Sequence, residues 1–368
     1  MKKLLLFTLL LVEINMQAQD PAFSQLNMNQ LYLNPAFAGI SKNARVGLNY
    51  RNQWTGIPSK LNTYNLWGDI YISRRKSTKR ENGLGKGLGK GLEMGLGMIA
   101  LQDVSGEGFL KTTSFGVLPS FEYCILQKTL KVRFGANLTV TNKRIDWDKL
   151  VFSDQLDGMN GQIYPTAAVP GSREGKTFFD PAAGVIISYN APNNKITITG
   201  GYSVNHLTKP NEGLSGSADR YLPRKHTIHG TIDFKINDMR DNNKSNHFSI
   251  SPNFLFEQQA NFTTTNLGLY MGHKQVIGGL FFRNRKIMDF KDADAVIFFL
   301  GVNQKIGETN NVLKIGLSFD MTINNLGTNT RGSYELSISW EFNAKKQGTT
   351  DCHPPKIDPC QCPNPFFY

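Results

Sequence analysis

Apolar and polar residues trade places with a period of two over long stretches of this chain, and that period belongs to β-strands. Leu130, Val132, Phe134, Ala136, Leu138 and Val140 fall on one side of a ribbon, with Lys131, Arg133, Gly135, Asn137, Thr139 and Thr141 on the other. Ile228, Gly230, Ile232, Phe234 and Ile236 oppose Thr227, His229, Thr231, Asp233 and Lys235 in the same way, as Tyr334, Leu336, Ile338, Trp340 and Phe342 oppose Ser333, Glu335, Ser337, Ser339 and Glu341. Similar runs over 44–50, 61–72, 92–101, 112–123, 178–189, 195–206, 247–256, 263–271, 275–283, 294–304 and 312–320 bring the expected total to fourteen strands. Bacterial single-chain barrels use an even number.

Alternation alone leaves open which face meets water, because a sandwich buries its apolar side and a membrane barrel shows it to lipid. The connections decide. Those after odd strands are long (51–60, 142–177, 207–224, 284–293), and those after even strands are short (124–128, 191–194, 272–274). That rhythm matches long outer loops and short periplasmic turns, so the chain is expected to form an all-β, antiparallel transmembrane barrel over 44–342. The connection 73–91 breaks the rhythm, being long, basic and Gly-rich. A phosphate-binding loop would need Gly at 84 and Ser or Thr at 91, where Leu84 and Gly91 stand, so it reads as a low-complexity turn.

The ends have a different character. Met1-Lys2-Lys3, the apolar run Leu4 to Val12 and Ala18 make residues 1–18 a cleavable signal peptide. That run is far short of the roughly 20 residues a membrane helix needs, and no later run reaches that length, so insertion would have to be by a closed barrel. Residues 19–43, between leader and first strand, are neither: Pro35 blocks a helix and Gly39 permits a sharp turn amid aromatic and apolar neighbours. This segment is expected to pack at the periplasmic mouth, with Tyr32, Asn34, Pro35 and Phe37 as its partner or plug contacts. The tail, 343–368, is rich in Pro and Cys. Cys352 with Cys360 or Cys362 could form one bridge, or all could stay reduced, and the spacing around His353 is not that of a zinc site.

A net charge of +12, from 41 basic and 29 acidic residues, would suggest nucleic acid as a partner in a cytosolic protein. The leader removes that option, and the basic residues read as solvated loops and lumen. Catalytic constellations do not emerge. No HExxH occurs, His226 and His229 fall on opposite faces of a strand, and Ser217 stands where a nucleophile elbow around Ser215 needs glycine. Asp146, Asp148, Asp154 and Asp157 sit together in the longest loop and read as solvated. No catalytic, cofactor or metal site is expected.

Four stretches resemble the PorP/SprF family of type IX secretion membrane proteins. They are the opening segment 20–39 (DPAFSQLNMNQLYLNPAFAG), Leu222 to Gly230, Leu267 to Arg283 with its Gly272-His273-Lys274 turn, and Lys314 to Ile338. The resemblance covers about 19–342. It implies a non-enzymatic outer-membrane barrel without cofactor, surrounded by outer-membrane lipid. Its implied partners are type IX secretion components, such as the periplasmic ring, or the C-terminal domain of a secreted adhesin. Two other readings of the residues stand beside it: a transporter for small solutes, since fourteen strands enclose a lumen, and a soluble secreted β-sandwich adhesin. The 142–177 loop is the candidate either to fold into the lumen or to clamp a partner from above.

Overall fold

The structure is a computed structural model that describes residues 20–56, 61–72, 92–106, 109–126, 129–167, 175–192, 195–214, 219–237, 247–285, 293–306, 311–324 and 327–342. The expected signal peptide at 1–18, the 73–91 connection and the tail with Cys352, Cys360 and Cys362 lie outside the described residues.

Each alternating run forms a strand: β1 (Ala44–Gln53), β2 (Leu61–Ile72), β3 (Leu92–Ser105), β4 (Leu110–Leu126) and β5 (Leu130–Ile145). Two two-residue strands, β6 (Leu156–Asp157) and β7 (Gly161–Gln162), pair with each other inside the longest loop. The wall continues through β8 (Lys176–Asn190), β9 (Ile196–Asn205), β10 (Lys225–Asn237), β11 (His247–Gln259), β12 (Phe262–His273), β13 (Val276–Asn284), β14 (Ala293–Ile306), β15 (Asn311–Thr322) and β16 (Ser333–Phe342). Fourteen of these pair antiparallel into one closed sheet, as the alternation predicts. β1 and β16 make the seam, in unbroken register from Ala44 opposite Phe342 to Gln53 opposite Ser333.

The two faces of the sheet are reversed relative to a water-soluble protein. Leu66, Met98, Phe115, Phe134 and Leu138 point outward and are exposed, whereas Asn49, Asn65, Ser120, Ser203, Thr227 and Ser337 point inward and are buried. An exposed apolar belt around a closed sheet is covered by acyl chains, and closure pairs every strand edge, as lipid requires. A β-sandwich needs two facing sheets, so the sandwich reading is set aside.

Residues 20–43 occupy the lumen. The chain enters β1 and leaves β16 at one end of the barrel, here the terminal end. The opposite, loop end carries the 146–175 and 206–224 connections. Sequence reasoning places the opening segment at the mouth of the terminal end, yet only its last third lies there, and the rest runs up the axis to the loop end. The described part of the 142–177 loop, 146–167, does not fold inward: it is mostly exposed, and the volume it could have filled is already taken.

Candidate functional site

The lumenal segment owes its shape to three local devices. Gln30–Leu33 forms a single helical turn, α1, that Asn34 ends in an extended conformation. The Asn34 Oδ1 then accepts the Ala36 N–H at 3.0 Å, starting a 3-10 turn over Pro35–Phe37 with proline in its first position, where a missing N–H costs nothing. Gly39 turns the chain toward β1 with φ of 70°, a left-handed conformation that glycine adopts freely.

Glycines in the wall receive this backbone. A Cβ at Gly135 would run into the Ala36 backbone, one at Gly184 into the Asn34 side chain, and one at Gly95 into the Ala38 carbonyl. The sheet is therefore bare where the Asn34-Pro35-Ala36-Phe37-Ala38 stretch presses against it. Asn34 Nδ2 donates to the carbonyls of Val185 (3.1 Å) and Tyr202 (3.3 Å) and lies 3.1 Å from His229 Nε2. The Phe37 ring sits 5.3 Å from the His229 ring. Leu31, Ala36, Phe37 and Ala38 bury themselves with Trp67, Ile99, Leu118 and Ile186, which are inward-facing apolar residues of the wall. Higher up, Met28 packs with Tyr270, Ile277, Phe281, Ile297 and Phe299.

Charged pairs hold the segment at both ends. At the terminal end Arg45 grips Asp69 through two hydrogen bonds (2.9 and 2.8 Å) and also donates to Gln30 Oε1 (2.9 Å), while Asp69 accepts the Gly39 N–H at 2.6 Å. Beside it Arg133 pairs with Glu122 at 2.7 Å and donates to the Ala38 carbonyl at 2.5 Å, which Ser120 also meets at 2.6 Å. Toward the loop end, Ser24 is the hub. Its hydroxyl donates to Asp320 (2.6 Å) and accepts from Arg51 (2.6 Å) and Arg283 (2.8 Å), and its N–H donates to Glu335 (2.7 Å). Arg51 and Arg283 against Asp320 and Glu335 leave this buried cluster neutral, which is how a low-dielectric interior tolerates four charges.

The uppermost contact is a clamp. His206, just beyond β9, lies 2.7 Å from both Asp20 and Asp180. Burial opposes the imidazolium, but the two carboxylates outweigh it and push the His206 pKa up to about 10. Burial likewise opposes the Asp20 carboxylate, and His206 and Lys225 overcome it to hold Asp20 well below the usual range. At neutral pH both imidazole N–H groups therefore donate. Tyr32 fits beneath, its hydroxyl donating to the Pro21 carbonyl (2.6 Å), its ring against Phe23 and 5.3 Å from the Lys225 ammonium.

All four residues singled out from sequence, Tyr32, Asn34, Pro35 and Phe37, thus lie within the lumen, where Asn34, Pro35 and Phe37 meet this chain's own wall and Tyr32 meets Pro21 and Phe23 of the segment and Lys225 of the wall. Sequence reasoning missed the charged residues that hold them. Arg45, Arg51, Arg133 and Arg283 read as solvated lumen, whereas the structure buries them in pairs. The signal was available for three: Arg45 stands opposite Asp69, Arg133 opposite Glu122 and, across the seam, Arg51 opposite Glu335, once adjacent strands are laid in register. Spaces of about 10 and 20 Å³ remain between segment and wall, the size of single waters. Among the described residues no cluster of His, Cys, Asp and Glu is arranged to hold a metal. His226 faces outward against Tyr202 and His229 inward against Asn34, so the two do not converge.

The family model for the type IX secretion system membrane protein PorP/SprF matches residues 15–340. The chain belongs to the PorP/SprF family. A search of curated proteins finds no match. Solved structures with a similar shape include a mutant of the TodX monoaromatic hydrocarbon channel, with a TM-score of 0.47 and 10% identity over 86% of this chain and 94% of that one. The outer membrane protein Omp33 of Acinetobacter baumannii aligns with a TM-score of 0.38 and 8% identity over 82% of this chain and 98% of its own. In this PorP/SprF protein the match takes in the whole lumenal segment and nearly all of the wall that receives it.

Proposed function

We propose that this PorP/SprF protein is a sealed, non-enzymatic barrel of the outer membrane that anchors a large exported protein at the cell surface, or docks the secretion ring, without conducting solutes. The observation that carries this reading is the occupied lumen: residues 20–43 are bonded to the wall at the terminal end, the middle and the loop end. A solute path would have to strip the segment from buried charged groups of the wall, losing the bonds of Gly39 to Asp69, of Gln30 to Arg45 and of Ser24 to Asp320 and Glu335. This argues against the small-solute transporter. Family membership supports partners within the type IX system, and the alternation of short turns with long loops supports placing the terminal end in the periplasm and the loop end outside.

Two measurements test the proposal together. Purified protein in planar bilayers is expected to show no steady conductance, and removal of the chain from its cell is expected to release the exported protein from the outer-membrane fraction into the medium. Steady ohmic conductance together with unchanged retention would refute the sealed anchor and favour the transporter.

A further inference from the structure

We propose that the hairpin over residues 151–164, at the loop end, is the surface on which this barrel holds its extracellular protein partner, and that the partner offers an apolar cleft edged with basic side chains. The inference deepens the anchoring role and rests on it.

The described part of the loop between β5 and β8 is folded. Within it β6 and β7 pair, the Gln155 carbonyl accepts the N–H groups of Ile163 and Tyr164 at 3.0 and 3.2 Å, and the Gln155 side chain caps Phe152 at 2.9 Å. Asp157 Oδ1 accepts the N–H of Met159 and of Asn160, both at 2.9 Å, which fixes the tip. Asp154 ties the far end of the loop by accepting the Ala167 N–H at 2.6 Å and the Thr166 hydroxyl at 3.0 Å.

This order displays apolar side chains to water. Met159 at the tip is 96% exposed, and Val151, Leu156, Ile163 and Tyr164 are each more than half exposed. They lie in a loop beyond the strand ends, so the acyl chains that cover the barrel belt do not explain them. Apolar side chains held out on an ordered support are what a partner's cleft can bury.

Charge decides between a protein and a lipid surface. Residues 146–167 carry four carboxylates (Asp146, Asp148, Asp154, Asp157) and one lysine (Lys149), a net charge of −3, on a chain whose total is +12. A phosphate-bearing membrane surface would repel that patch, whereas a protein cleft with lysine or arginine at its rim would attract it.

A photo-crosslinking amino acid placed at Met159 of the full chain, irradiated on intact cells, is expected to join one exported protein. The same group at the outward-facing Gly278 of β13 is expected not to do so. The double variant M159D/I163D should lower retention of that same protein about tenfold, with barrel abundance and heat-dependent gel migration unchanged. Asp148→Lys, which spares the apolar tip, should lower retention about threefold and weaken its dependence on salt. Crosslinks only to lipopolysaccharide, absence of an adduct, or retention unchanged in M159D/I163D would each overturn the proposal. If removing the whole chain releases the exported protein while M159D/I163D does not, the docking surface fails and the anchoring role stands. If neither releases it, the anchoring role itself fails.

Discussion

Asn34 illustrates how much one short side chain does in this lumen. Its carbonyl oxygen starts the turn at Pro35–Phe37, and its amide group bonds two strand carbonyls across the barrel. Asn34→Ala is expected to destabilise the barrel by about 1–3 kcal/mol, the usual result of orphaning buried polar groups, read as a lower temperature for loss of compact gel migration. Arg51 carries more. Arg51→Met leaves Asp320 and Glu335 with Arg283 alone, and a loss of about 3–5 kcal/mol is expected in denaturant titration. The His206 clamp adds a pH dependence. Its folded pKa of about 10 lies above the ordinary 6.5, so its contribution is complete below pH 6.5 and fades as pH rises through about 10. Asp20, held below its ordinary 3.8, contributes above that value and loses its contribution in acid. Stability should therefore be greatest between about pH 4 and 6.5, and His206→Gln should flatten the alkaline decline in a thermal-melt series.

The lumenal segment and the glycines it presses on behave as one element with two halves. Gly135 and Gly184 face the segment, whereas nothing approaches the position a Cβ would take at Gly278. Gly135→Ala combined with Gly184→Ala is expected to lift the Asn34–Ala38 stretch off the wall and to admit transient conductance in bilayers, with faster proteolysis of the segment. Gly278→Ala should match the parent in both measurements, and equal behaviour of the two variants would remove the glycine seat as the cause of closure. The strands themselves are legible in the sequence because alternation is local: each residue reports its own face. Where an inward position breaks the alternation, as at Trp67, Ile99, Leu118 and Ile186, the cause is the apolar side of the lumenal segment, which no window within a strand can reveal.

Across the entire barrel, the segment links one membrane face to the other. Asp20 sits by His206 at the loop end, and Gly39 by Asp69 at the terminal end. An epitope inserted ahead of Asp20 is expected to bind antibody on intact cells, and one placed after Phe342 only after permeabilisation. The reverse pattern would invert the orientation.

What this sequence determined by itself is the wall: strand number, the side of each strand that meets lipid, the rhythm of the loops, and the family signature. The first three follow from a two-residue period and from turn chemistry, which act between near neighbours; the family signature lies in the particular residues of 20–39 and of three later stretches. The tertiary structure alone decided the path of residues 20–43 and the gathering of Ser24, Arg283 and Asp320 onto the Arg51–Glu335 pair. Ser24 and Glu335 are 311 residues apart along the chain. A contact of that separation has no local trace, because closing the sheet is what brings its two halves within reach of each other.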